Sequence, residues 1–218
     1  MIAGVQLKVC GLTSLVDAEW ADRCGADFLG FVLHPASPRR IALEQFARWR
    51  DRLPGRKKVA VSVEPAPGDL AAQQGAGFDF FQIHFRLETP EATVAEWSRL
   101  VGPQRLWLAP RLPAGAEVPA AVRAAARCIV FDTYRPDGFG GSGRTGDWSS
   151  FARHQEQFPG NQWVLAGGLN AGNIAAALAA SGARAVDVNS GVETAPGVKD
   201  AEKLRALVEA LRQAATGR

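Results

Sequence analysis

Three cysteines in 218 residues, an odd number with no CxxC spacing, are too few and too scattered for a disulfide framework or a zinc site. They fit a reducing compartment, so a cytoplasmic location is expected. Histidine is as scarce, and His34, His84 and His154 do not make a metal set. A dominant charge sign is also lacking. Lys and Arg number 25 against 22 Asp and Glu, a formal net charge of +3, and the densest basic cluster is only Arg56-Lys57-Lys58. That argues against a nucleic-acid partner. The small excess suits an anionic small molecule but reads first as solvated surface charge. No stretch approaches the ~18 uninterrupted apolar residues of a membrane span. The opening MIAGVQLKVCG lacks the basic-then-apolar order of a signal peptide. No linker, low-complexity tract or composition break divides the chain.

What is present is ordinary globular composition, 47% hydrophobic and 22% charged, at a length that buries a core without staples. The expectation is one domain spanning residues 1–218. Eight short runs rich in β-branched and aromatic residues recur: Val5–Cys10, Asp27–Leu33, Lys58–Val63, Phe78–His84, Gln104–Leu108, Cys128–Asp132, Gln162–Ala166 and Ala185–Asn189. Several are apolar on both faces, as parallel strands covered on each side must be. Helical patterns alternate with them at Leu15–Cys24, Ala42–Leu53, Asp69–Gln74, Thr89–Val101, Val118–Ala126, Trp148–Gln157, Ala171–Ala180 and Ala201–Ala215. Thr89-Pro90 reads as an N-cap and first-turn proline, Asn170 as a helix opening, and Gly75, Gly102 and Gly182 as stops. Strict βα alternation gives a parallel sheet, and eight units favour a closed (β/α)₈, or TIM, barrel over an open doubly wound sheet.

Chemistry in such a barrel sits at the C-terminal ends of the strands. Gly167-Gly168 follows the seventh run and Ser190-Gly191 the eighth. Consecutive glycine loops there are either plain turns or a phosphate grip built on backbone N–H groups. Cys10 closes the first run before Gly11. It is either a small core residue or, with a lowered pKa, a general base. Asp132 closes the sixth run as a loop cap or as an acid whose proton is retained by partial burial. Arg39, in Ser37-Pro38-Arg39-Arg40, is a surface charge or a fork for a carboxylate or phosphate. His84 is a ligand contact or a satisfied strand-end histidine. Cys24 and Cys128 read as packing residues.

The ordered set of motifs resembles the phosphoribosylanthranilate isomerase family. It runs through Lys8-Val9-Cys10-Gly11-Leu12-Thr13, Pro35-Ala36-Ser37-Pro38-Arg39, Gln82-Ile83-His84 and Asp132. It continues through Gly140-Gly141-Ser142-Gly143-Arg144-Thr145, Leu165-Ala166-Gly167-Gly168-Leu169-Asn170, Val186 through Glu193, and Pro196 through Asp200. The resemblance covers about residues 6–212. It implies a cofactor-free (β/α)₈ barrel that catalyses the Amadori rearrangement of N-(5-phosphoribosyl)anthranilate in tryptophan biosynthesis. It implies Cys10 as base and Asp132 as acid. Arg39 would face the anthranilate carboxylate, and His84, Gly141, Gly143, Gly167, Gly168, Asp187, Ser190 and Gly191 would also meet the substrate. The glycine-rich loop after Asp132 would close over the site. The only implied partner is the small-molecule substrate, with the chain a monomer or a homodimer and no membrane association. The chain departs from the family pattern at Phe85, where a glycine is usual and which is expected to crowd the mouth, and at Leu33-His34, Ala109 and Asn189. These departures keep two other readings open: a related barrel isomerase with a remodelled aglycone pocket, and a phosphate-ligand-binding barrel without catalysis.

Overall fold

A computed structural model of the chain describes residues 1–113, 115–132 and 147–216. Eight parallel strands close on themselves in sequence order. They are β1 (Gln6–Val9), β2 (Phe28–Val32), β3 (Lys57–Val63), β4 (Phe80–Arg86), β5 (Leu106–Arg111), β6 (Cys128–Phe131), β7 (Gln162–Leu165) and β8 (Ala185–Val188). Closure is made by β1 against β8, with Lys8 opposite Asp187 and Val9 opposite Val188. Helices α1 (Leu15–Arg23), α2 (Leu43–Trp49), α3 (Pro67–Ala76), α4 (Glu91–Val101), α5 (Ala120–Ala125), α6 (Trp148–Gln157), α7 (Ile174–Ser181) and α8 (Ala201–Thr216) follow their strands in turn. A short antiparallel hairpin, β9 (Glu193–Ala195) with β10 (Val198–Lys199), interrupts the last βα connection and was not foreseen from sequence. None of the described helices is long and apolar enough to cross a membrane.

The two-residue period of each strand sorts its side chains into two layers. Outward residues such as Leu7, Val9, Leu29, Phe31, Phe81, Ile83 and Phe85 join one buried cluster with Phe46, Trp97 and the other helix residues. Phe46 stacks on Phe78 at 3.7 Å and meets Phe31 edge-on at 5.1 Å, which docks α2. Inward residues, among them Cys10, Val61, Ala109, Cys128, Val130 and Val164, form a second cluster inside the barrel. Phe28, Phe80 and Trp107 pack together there with ring centroids 4.9–5.8 Å apart, filling the end where the strands begin. These three rings therefore plug the barrel below its C-terminal mouth.

Side-chain caps account for two helix starts. Ser14 accepts from the Asp17 N–H at 3.0 Å and Asp147 from the Ser150 N–H at 2.9 Å, both N-caps. Three expected ends differ. Thr89 does not cap α4; its hydroxyl bonds Glu64 at 3.0 Å instead, and Pro90 is the cap. Helix α3 runs through Gly75 and stops at the left-handed Gly77. Helix α7 begins at Ile174, because the Asn170 and Asn173 side chains hold the preceding loop.

Candidate active site

Nine of the sequence-predicted residues line one cavity of about 420 Å³ at the mouth: Cys10, Arg39, His84, Asp132, Gly167, Gly168, Asp187, Ser190 and Gly191. Gly141 and Gly143, with the rest of their glycine-rich loop, lie outside the described residues. Val32, Val61 and Val63 give the cavity an apolar wall on the β2–β3 side, while the glycine loops face it from β7 and β8.

The glycine end is built from backbone. A Cβ on Gly191 would stand 2.0 Å from the Leu169 carbonyl oxygen, so the loops after β7 and β8 can touch only because position 191 has no side chain. The Gly168 carbonyl accepts from the amides of Asn170 at 3.1 Å and Asn173 at 3.0 Å, which fixes the first loop.

The other end is built from buried charge. Arg39 grips Glu193 with Nε 2.9 Å from Oε1 and Nη2 2.7 Å from Oε2, a bidentate fork. Glu193 also accepts from Lys199 Nζ at 2.7 Å and from the Gly197 N–H at 3.2 Å. Burial alone would raise the Glu193 carboxyl, but Arg39 and Lys199 outweigh it and hold the group below the usual carboxylate range. Lys199 is pulled down by burial, against the attraction of Glu193. It reaches Asn189 Oδ1 at 2.9 Å as well, so the Asn189 departure serves a structural bond inside the site. Below them Lys8 Nζ meets Asp187 Oδ2 at 2.7 Å, with both residues buried. Asp187 Oδ1 makes no hydrogen bond among the described residues.

Cys10 sits where expected but in a different electrostatic setting. Burial pushes its thiol up, and the Lys8 charge is the main influence drawing it down. A lowered thiol pKa, which a resting thiolate would require, is therefore not what the buried site provides. Cys128 is also pushed up by burial, as suits a packing residue. Asp132 is half-buried at the end of β6 and lines the cavity. The Gln82 amide nitrogen stands 2.8 Å from His84 Nε2, so that ring nitrogen accepts. Burial lowers His84 to about 4, aided by Lys8, and the ring stays neutral at pH 7. His154 is buried away from the cavity, accepting from the Val118 N–H at 3.1 Å and placing Nδ1 2.7 Å from the Ser150 carbonyl. Among the described residues no three His, Cys, Asp or Glu side chains group as metal ligands.

One expectation about the departures changes. Phe85 does not crowd the mouth: its side chain points outward, is 1% exposed, and meets Trp97 edge-on at 5.6 Å. Ala109 lies inside the barrel in register with His84. The sequence reading missed Lys8, Lys199 and Glu193 as site residues. The available signal was a lysine between Leu7 and Val9 in an otherwise apolar strand, since lysine is almost never fully buried unless paired.

A closed parallel barrel whose open mouth gathers a thiol, a carboxylate, an arginine and two glycine loops is one of the (β/α)₈-barrel enzymes. The model of N-(5'-phosphoribosyl)anthranilate (PRA) isomerase matches residues 7–210, and the chain belongs to that family. It is 40% identical over 217 residues to an N-(5'-phosphoribosyl)anthranilate isomerase of Bordetella petrii, covering 96% of each. The fold superposes on the phosphoribosyl anthranilate isomerase of Thermus thermophilus with a TM-score of 0.79 at 33% identity, over 96% of this chain and 99% of that one. A further structure of this kind, in complex with reduced 1-(o-carboxyphenylamino)-1-deoxyribulose 5-phosphate, matches at a TM-score of 0.74 and 28% identity, over 96% and 99% of the two chains.

Proposed function

We propose that Cys10 and Asp132 are the base and acid of the Amadori rearrangement of N-(5-phosphoribosyl)anthranilate. Tryptophan biosynthesis is the setting of this reaction, and the enzyme is an isomerase. The observation that carries the residue roles is the meeting of Cys10, Asp132, Arg39 and both glycine loops around one cavity. Protonated Asp132 donates to the furanose oxygen as the ring opens to a Schiff base. The iminium acidifies the proton on sugar carbon 2, and the Cys10 thiolate removes it. The resulting enolamine tautomerises to the ketone. The loops at Gly167-Gly168 and Ser190-Gly191 hold the phosphate, and Arg39, aimed by Glu193, faces the anthranilate carboxylate. The valine wall takes the aromatic ring. Holding the substrate at both anionic ends sets carbon 2 against the sulfur. Residues 1–218 act as one catalytic domain in the cytoplasm, as a monomer or homodimer.

The test is substrate fluorescence on freshly made phosphoribosylanthranilate. Cys10→Ala and Asp132→Asn should each lose about 10²–10⁴-fold in kcat while keeping the wild-type circular dichroism. Near-normal turnover in either variant removes that residue from its role. Because burial holds the Cys10 thiol above its ordinary value of 9.0, kcat/KM should climb with pH through neutrality, and its thiol limb should lie above pH 9. A limb below pH 8 would contradict this setting.

A further inference from the structure

Lys8 is a lysine with 1% exposure inside an enzyme barrel, and the reaction steps above leave it unused. Its strand places it there: Leu7 and Val9 point out under the helices, while Lys8 and Cys10 point in, one rung apart. Gly30 on the neighbouring strand leaves the space that both occupy. A Cβ at position 30 would stand 3.0 Å from Cys10 Sγ and 3.0 Å from Lys8 Cε, so sulfur and ammonium stem converge on one point. From the other side Asp187 fixes the ammonium at 2.7 Å.

The groups facing Cys10 come from several elements. Lys8 comes from β1, Asp187 from β8 and Lys199 from β10, and each acts on the sulfur. Arg39, His84 and Asp132 line the same cavity. Lys8 also acts on His84 and on Cys128. Three of these buried or half-buried groups, Lys8, Lys199 and Arg39, are cations. Among the described residues Lys8 pairs with Asp187, Arg39 and Lys199 share Glu193, and Lys199 also acts on the buried Asp17.

We infer that Lys8 is the positioning residue of Cys10: anchored on Asp187, its ammonium holds the sulfur in anionic form once the thiol has lost its proton. Asp187 has two opposed effects. It keeps Lys8 charged and in place, and its own negative charge works against the thiolate. Burial raises the thiol and Lys8 leads the groups that lower it, which agrees with this division. The inference deepens the reading of Cys10 as the base, and its test does not depend on turnover.

Iodoacetamide alkylation of Cys10 is followed from pH 6 to pH 10.5 by mass spectrometry of its peptide, in wild type, Lys8→Met and Asp187→Asn. The readout is the midpoint of the rate against pH, because a rate at one pH mixes thiolate fraction with nucleophilicity. Lys8→Met should raise the midpoint by about one pH unit or more, a tenfold loss of thiolate at a given pH. Asp187→Asn should lower it. A midpoint unmoved in both variants, or moved the same way in both, overturns the inference, since a merely structural role gives no opposed signs. If Lys8→Met does not fold, Asp187→Asn decides alone, a fall supporting the inference and no fall overturning it. Normal turnover by Cys10→Ala would remove the base role without touching this result.

Discussion

The two ends of the cavity are built by different means. The β7–β8 end uses backbone, positioned by Gly191 against Leu169 and by two asparagine amides on Gly168. The opposite end uses side-chain charges taken out of water, Lys8 with Asp187 and Arg39 with Glu193 and Lys199. Backbone cannot be mutated away and needs no counter-charge. A buried ion pair aims its partner rigidly but leaves an uncompensated charge when one member is lost. The first end should therefore tolerate the loss of a side chain better than the second does.

The widest gap between the two ends should appear on deleting one member of each. Glu193→Leu strands Lys199 and frees Arg39, and should cost about 3–5 kcal/mol in urea unfolding. Asn173→Ala at the glycine end should cost only about 1 kcal/mol. Similar costs would erase the distinction. Acid should press on the charged end next. His84 is held neutral, with its folded value near 4 against 6.5 for the free side chain. Stability should be flat above about pH 6.5 and fall by roughly 3 kcal/mol towards pH 4, because only the unfolded state gains the proton. His84→Gln should flatten that slope. Gly191→Ala should force the two loops apart at about 1–3 kcal/mol and raise KM more than it lowers kcat. An unchanged KM would show that the loops need not touch. The smallest effect belongs to neither end. Phe85→Leu should cost about 1 kcal/mol and leave kcat and KM unchanged, since that ring packs outside the barrel.

This contrast also separates what could be read from the sequence. The strands showed through runs such as Cys128–Asp132 and Gln162–Ala166, whose buried β-branched and aromatic residues have few other uses. The glycine loops showed because a glycine pair after a strand is a local signal. Of the charged end only Arg39 and Asp187 showed, and the pairs they form did not. Lys8 meets Asp187 across 179 positions and Arg39 meets Glu193 across 154, and no local pattern announces such pairs. Only barrel closure brings β1 beside β8. The missed hairpin is local, but strands of three and two residues are too short to show a two-residue alternation. Phe85 was misjudged for a simpler reason: being one residue beyond His84 puts it on the other side of the strand.

That hairpin has a consequence for anyone recombining such barrels. Glu193 opens it and Lys199 closes it, and the Thr13 hydroxyl donates to the Gly197 carbonyl at its turn. Three rim loops, those after β1, β2 and β8, are thus hooped together by residues 193–199. Cutting the chain into half-barrels, or grafting the last unit alone from a relative, would open that hoop even if every strand paired correctly. A transplant meant to carry the arginine's aim would have to move the hairpin, Thr13 and Arg39 as one set.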